Sequence, residues 1–96
     1  MSAEIKREDG RQAVIGDMTI DSATHLVSEG IAALSKGEAL FDLADVTEVD
    51  SSGLAVIFGW QRAADAAGKT LRIANPPQSL ISLAAVYGVS DMLPSA

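Results

Sequence analysis

The sequence predicts a single α/β domain, residues 1–96, built on a four-stranded, mostly parallel mixed sheet with helices packed against it. Two observations carry this prediction. An Asp-Gly hairpin signal opens the chain, and short apolar strands then alternate with helical patterns, which gives the order β-β-α-β-α-β-α. A length of 96 residues, with 48% apolar and 21% charged residues, suffices for one modest core. Strands that alternate with helices favour right-handed crossovers, hence parallel pairing after the hairpin.

The opening hairpin is predicted from Asp9-Gly10, because a two-residue type I′ turn requires positive φ at both of its central positions. The flanking segments 5–8 and 11–15 are predicted to be its two strands. Residues 16–19 are then expected to turn the chain toward the first helix.

The first helix is expected to be capped at its N-terminus by Thr19 or Asp21. Gly37 is predicted to end it, since glycine commonly takes the left-handed conformation just past a helix. Apolar residues recur at helical spacing, which indicates one face packed on the sheet. This face contains Ala23, Leu26, Val27, Gly30 and Leu34.

The second half of the chain repeats the alternation of strand and helix. A short, mostly apolar segment at 39–43 predicts a strand buried on both faces, as in a parallel sheet. Residues 45–50 are expected to form a loop to a second helix at 52–67. A fourth strand is predicted at 71–74. The third helix, at 79–87, follows two prolines, and proline suits the first position of a helix.

The most informative segment is Glu48–Leu54, in which two acids, two serines and a glycine precede an apolar run. Its predicted place is the carboxyl end of a strand, where sites in open α/β sheets commonly lie. Ser51 is predicted either to cap the helix or to be a regulatory hydroxyl that can receive a phosphate. Asp50 is predicted to orient Ser51 or accept loop N–H groups, or else to act as a second cap.

The second helix has apolar residues on two sides. At about 100° per residue, one apolar stripe faces the sheet, while Leu54 and Phe58 fall on the polar side near Ser51. Two interpretations stay open. Either the hairpin or the third helix covers Phe58, or Leu54 and Phe58 form an exposed docking pair rimmed by Arg62. The second interpretation predicts a partner-binding surface that consists of Asp50, Ser51, Ser52, Leu54, Phe58 and Arg62.

Composition and charge disfavour several classes of protein. A net charge of −6 and a pI near 4.4 disfavour binding to nucleic acid or to anionic lipid. The chain has no cysteine and one histidine, which predicts no metal site. It shows neither a serine–histidine–acid set nor a glycine-rich phosphate loop, so we expect no catalytic residues and no cofactor. Without a leader or a membrane-spanning run, it is predicted to be cytoplasmic, with no direct membrane insertion.

The segment Val49–Ile57 resembles the signature of STAS domains, the anti-sigma-factor-antagonist fold. Phe41–Leu43 and Gly68–Leu71 are similar to a strand and a helix-to-strand turn of that family, so the resemblance covers nearly the whole chain. The carboxyl end narrows it further. Leu83–Val89 followed by Asp91–Pro94 is similar to the ending of MlaB-type STAS subunits.

The MlaB-type resemblance implies a small, non-enzymatic subunit that binds and supports the ATPase of an ABC transporter. Such transporters move phospholipid between the two membranes of Gram-negative bacteria and maintain the lipid asymmetry of the outer membrane. The subunit would lie at the inner face of the inner membrane through its partner.

The antagonist resemblance implies a different partner, a serine kinase anti-sigma factor, with Ser51 in the position of the phosphorylated serine. MlaB-type subunits commonly have a threonine and then a glycine where this chain has Ser51 and Ser52. A third hypothesis places a nucleotide or an acyl chain in the crevice at the ends of the strands.

Overall fold

The computed structural model describes residues 3–94 and confirms the predicted order of strands and helices, with one short 3-10 helix added at the end. The elements are β1 Glu4–Glu8, β2 Arg11–Met18, α1 Ala23–Ser35, β3 Leu40–Val49, α2 Ser51–Ala66, β4 Arg72–Ala74, α3 Gln78–Val86 and the 3-10 helix Ser90–Met92. The strands lie in the order β1-β2-β3-β4, with β1 antiparallel to β2 and the other two pairs parallel. The mixed sheet is therefore confirmed.

The hairpin turn is confirmed at the predicted position. Asp9 has a φ of 49° and Gly10 a φ of 79°, and the flanking residues Glu8 and Arg11 pair directly across the ladder. Positive φ at both central positions is what a type I′ turn requires. The hairpin therefore fixes the register of β1 on β2.

Both central strands are longer than predicted. The turn expected at 16–19 and the loop expected at 45–50 are wrong in large part, because β2 and β3 stay paired until Met18 faces Val49. Two register shifts, between Ala13 and Ile15 and between Gly16 and Asp17, interrupt this pairing as β-bulges do. Polar residues such as Asp45 suggested a loop, but they lie on a strand and are exposed.

The helices cover one face of the sheet. Because β2, β3 and β4 are consecutive and parallel, right-handed crossovers place α1 and α2 on the same face. Between these two helices the indole of Trp60 is fully buried, stacks near the ring of Phe41 at 4.5 Å, and donates a hydrogen bond to the Leu26 carbonyl at 2.9 Å. This contact anchors the core of the domain.

The helix boundaries agree with the predictions to within a few residues. The cap expected at Thr19 or Asp21 is wrong, since Ser22 is the residue before α1 and makes no side-chain capping bond. Gly37, with a φ of 91°, ends α1 as predicted. Within residues 3–94, no helix combines the length and the apolar character that crossing a bilayer requires.

The second face of the sheet carries a hydrogen-bonded carboxylate. Asp42 accepts bonds from Asn75 Nδ2 at 3.0 Å and from the Ala44 N–H at 2.9 Å, and Arg11 lies 3.3 Å away. The bond from Asn75, with the Ala44 N–H and Arg11, lowers the pKa of Asp42 below its ordinary value. The stability this adds is present above about pH 4 and is lost as the pH falls through the folded-state pKa.

Candidate partner-binding site at the start of α2

The site is built where two parallel strands end side by side. Met18 ends β2 and Val49 ends β3, and these two residues are register partners. The loop that leads from β2 to α1 therefore lies next to the first turn of α2. The Asp50 N–H donates to the Met18 carbonyl at 3.2 Å, which extends the strand pairing by one residue.

Asp50 joins these two neighbouring segments. One carboxylate oxygen accepts from the Ser52 N–H at 2.8 Å and caps α2, while the other accepts from the Ile20 N–H at 3.1 Å. Both roles considered for Asp50, as a cap and as an acceptor for loop N–H groups, are therefore present. The interpretation of Ser51 as the cap is wrong, because Asp50 occupies that position.

The Ser51 side chain is exposed at the first position of α2. Its hydroxyl has no hydrogen-bond partner among residues 3–94, and the one histidine, His25, lies exposed on α1. A free hydroxyl at the positive end of a helix can meet a partner or accept a negative group. With no base bonded to it, it lacks the arrangement of an activated nucleophile.

Gly53 lets the first turn of α2 approach the strand ends. A Cβ atom on this residue would lie 2.7 Å from the Met18 carbonyl oxygen and 2.7 Å from Val49 Cγ1. Neither distance is tolerated between real atoms, and the first neighbour is backbone that cannot rotate away. The position of Ser51 relative to the sheet therefore depends on a glycine two residues later.

The predicted exposed pair of Leu54 and Phe58 is not formed. Leu54 is only 5% exposed and belongs to the core, and Phe58 is half-buried and packs against that core. α3 packs against α2, and its buried residues Leu80 and Ala84 belong to the same core cluster as Leu54. The alternative interpretation, in which Phe58 is covered by another element, agrees with its half-buried position against that core.

The exposed apolar residue near the start of α2 is instead Ile20, whose N–H is bonded to Asp50 and which the sequence interpretation missed. Its side chain is 72% exposed. The signal that could have found it is an isolated apolar residue in a polar turn, flanked by Thr19 and Asp21. The turn is ordered by Ser22, whose hydroxyl accepts from the Thr19 N–H at 3.1 Å and donates to the Asp17 carbonyl at 2.7 Å.

On one side of Ile20 lies a groove between α1 and α2, here called the apolar groove. Its lining is mostly small or aliphatic, and Arg62 is its one charged residue. Ser52 and Ala55 contribute the α2 side, and Ser51 lies one helical turn before Ala55 on the same face. The lining is Ile20, Ala23, Thr24, Val27, Ser28, Ser52, Ala55, Val56 and Arg62.

On the other side of Ile20 lies the acidic crevice, at the carboxyl ends of β2 and β3. All its charged lining residues are acids: Asp17, Asp21, Asp45, Glu48 and Asp50. A hydrogen bond from the Thr19 hydroxyl, opposed in part by desolvation, lowers the pKa of Asp17 below its ordinary value. A nucleotide phosphate would meet like charges here, and no set of side chains in residues 3–94 is arranged to hold a metal ion.

Comparison with known families gives one match over almost the whole chain. A family described as "Mlab, STAS domain" matches residues 1–94. A curated relative from Haemophilus influenzae, named "Intermembrane phospholipid transport system binding protein MlaB", is 32% identical over 62 residues. The matched region covers 65% of this chain but only 59% of that relative.

Three solved structures share the fold. A putative anti-sigma factor antagonist from Thermotoga maritima has a TM-score of 0.75 and 17% identity, covering 97% of this chain and 84% of that one. The unphosphorylated form of the anti-sigma factor antagonist SpoIIAA has a TM-score of 0.64 and 14% identity, with the same coverage. The phosphorylated form of the Bacillus cell fate determinant SpoIIAA has a TM-score of 0.65 and 14% identity, covering 98% and 90%.

Proposed function

Since the chain belongs to the family described as "Mlab, STAS domain", we propose that it is a non-enzymatic subunit that binds the ATPase of an ABC transporter for phospholipids. The name of the Haemophilus relative, a phospholipid transport system binding protein, supports this proposal. The subunit would lie at the inner face of the inner membrane through that ATPase. Its transporter would maintain the lipid asymmetry of the outer membrane.

The observation that carries the proposal is the ordered, exposed surface at the start of α2. Ser51 and Ile20 are both exposed, and they lie on two segments that the Asp50 carboxylate ties together. Ser52 and Arg62 extend this surface along the apolar groove. A surface held by internal hydrogen bonds loses little conformational freedom on binding, which favours docking of a protein partner.

Within this surface the originally predicted residues divide into two roles. Ser51 and Arg62 are exposed and Asp50 and Ser52 are partly exposed, which supports a partner-binding role for these four residues. Leu54 and Phe58 support α2 from beneath, since Leu54 is buried and Phe58 packs on the core. The bound subunit would act by favouring the ATPase states to which it binds more tightly, which shifts their populations.

The test is binding of the purified chain to the ATPase of the same cell's phospholipid transporter, measured by calorimetry together with ATP hydrolysis. We expect Ser51→Asp to weaken binding about tenfold or more, because a charge on this face must be desolvated against an apolar surface. The matched control is Ser79→Asp, which places the same charge on an exposed serine in the first turn of α3.

Wild-type protein that neither binds the ATPase nor changes its hydrolysis would refute the proposal. Equal loss of binding in both serine variants would also count against it, since the effect would then follow net charge and not the surface at Ser51.

A second candidate function is that of an anti-sigma-factor antagonist controlled by phosphorylation of Ser51. The observation that favours it is the exposed Ser51 hydroxyl with no hydrogen-bond partner in residues 3–94, at a helix N-terminus. A phosphate there would lie close to Asp50, and an apolar partner surface would have to desolvate it, so the modified form would bind such a partner more weakly. Mass spectrometry of protein from its native cell separates the candidates: phosphate on Ser51 with a co-purifying serine kinase favours this one.

A further inference from the structure

Ile20 separates two surfaces of opposite character, the acidic crevice and the apolar groove. We propose that the partner segment which docks here is amphipathic, with basic side chains over the acidic crevice and apolar side chains in the apolar groove. This inference rests on the proposed function, because it names the chemistry of the ATPase surface that meets the start of α2.

The exposure of Ile20 is built into the loop. Its N–H donates to the Asp50 carboxylate, and the neighbouring Ser22 N–H donates to the Thr19 carbonyl at 3.0 Å. Because these bonds hold the backbone on both sides of the residue, they fix the direction in which its Cβ atom leaves the chain. An apolar side chain that is fixed in water is stabilised when a partner covers it, at little further entropic cost.

The acidic crevice indicates that one face of the partner segment is basic. Asp45 and Glu48 are exposed on β3, and neither carboxylate makes a side-chain hydrogen bond or a salt bridge with any residue of 3–94. Five carboxylates line one crevice of a chain whose net charge is −6. Such a concentration of one sign attracts cationic groups and accelerates their association.

The apolar groove indicates that the other face of the partner segment is apolar. Ala23, Val27 and Ala55 offer apolar contact, and Arg62 lies at the rim without a salt bridge among the described residues. A Cβ atom on Gly59 would lie 3.7 Å from Arg62 Nη2 and 3.7 Å from Val27 Cγ2, so the guanidinium lies beside the groove. An acidic side chain of the partner could pair with Arg62 there.

This arrangement favours a basic protein segment over other occupants. Nucleic acid and anionic lipid carry charges that the acidic crevice repels. A second copy of this chain would bring its own net charge of −6 to the same surface. An amphipathic helix with Lys or Arg on one flank satisfies both sides of Ile20 at once.

The test compares two double variants of equal charge in kinetic binding to the same ATPase at low and high salt. Asp45→Asn with Glu48→Gln removes two of the five carboxylates of the crevice, whereas Glu4→Gln with Glu29→Gln removes two exposed carboxylates outside its lining. We expect the first pair to slow association about tenfold at low salt and to reduce its salt dependence, with little effect on dissociation. The second pair should leave both rates nearly unchanged.

A third variant, Ile20→Ser, should accelerate dissociation about tenfold, with circular dichroism confirming the fold. If the wild-type protein binds and the crevice variant associates at the same rate, or if both double variants slow association equally, the basic partner segment is refuted while the proposed function stays in place. Wild-type protein that does not bind the ATPase would instead refute the proposed function, and this inference with it.

Discussion

The first turn of α2 and its middle are stabilised in different ways. In the middle, Trp60 is fully buried against α1, and packing leaves no space for one more carbon on Gly30. At the first turn, the Asp50 carboxylate accepts hydrogen bonds from the Ser52 and Ile20 N–H groups and so holds the segments that carry the exposed Ser51 and Ile20. The middle therefore contributes to the stability of the fold, and the first turn determines which side chains are exposed to solvent there.

This difference predicts that changes along α2 separate into two kinds. Changes in the buried part should lower the free energy of unfolding, and binding should be lost only as a consequence. Changes in the exposed part should lower affinity while the free energy of unfolding stays almost constant. Each of the following variants is chosen to break or to sharpen that separation.

The largest effect is expected at two adjacent residues. Leu54→Asp places an unpaired carboxylate in the core and should cost about 4 kcal/mol or more, enough to unfold most of the protein. Ala55→Asp, one residue later on the exposed face, should cost about 1 kcal/mol or less and yet weaken binding to the ATPase. Urea denaturation and calorimetry measure the two quantities. If Leu54→Asp stays folded but no longer binds, the interpretation of Leu54 and Phe58 as an exposed docking pair would be supported instead.

A second pair of variants probes packing through two glycines. A Cβ atom on Gly30 would lie 2.0 Å from Trp60 Nε1, so Gly30→Ala should destabilise the domain by about 3 kcal/mol. The nearest contacts to a Cβ atom on Gly59 are 3.7 Å, so Gly59→Ala should be neutral or stabilise the helix by up to about 1 kcal/mol. If both variants unfold at the same urea concentration, the close packing of Trp60 on α1 does not limit stability.

The third variant, Asp50→Asn, is expected to change stability only slightly and binding distinctly. Asparagine caps helices as well as aspartate does, so the bond from the Ser52 N–H can persist. The amide has one acceptor oxygen, so the Ile20 N–H loses its partner at a cost of about 1 kcal/mol. We expect the loop to loosen and the affinity for the ATPase to fall. Unchanged affinity would show that Asp50 acts only as a cap.

The predictable part of the fold follows from local signals. Asp9-Gly10 selects its turn through backbone conformation alone, and Gly37 ends α1 in the same way. The lengths of β2 and β3 were underestimated because Asp45 and its neighbours lie on a strand whose outer face is exposed. Polar side chains on this exposed face need no desolvation, so the segment has the polar composition that is typical of a loop.

The site could be predicted only in part, for a related reason. Ser51 follows from a strand, an acid and a helix in immediate succession, which is a local pattern. The burial of Leu54 depends on how α2 packs into the shared core, and the backbone position of Ile20 depends on an acceptor, Asp50, 30 residues away in sequence. Contacts between distant segments decide both, and the helical period of α2 contains no information about them.

The single tryptophan of the chain gives the molecule an internal optical reporter. Trp60 is fully buried and bonded to the carbonyl of Leu26 on the neighbouring helix. Its fluorescence emission should shift to longer wavelength only when α1 and α2 separate, because water then reaches the indole. Events on the solvent side of Ser51 should leave that emission unchanged, so one spectrum can distinguish a chain that has lost its shape from one that has lost its partner.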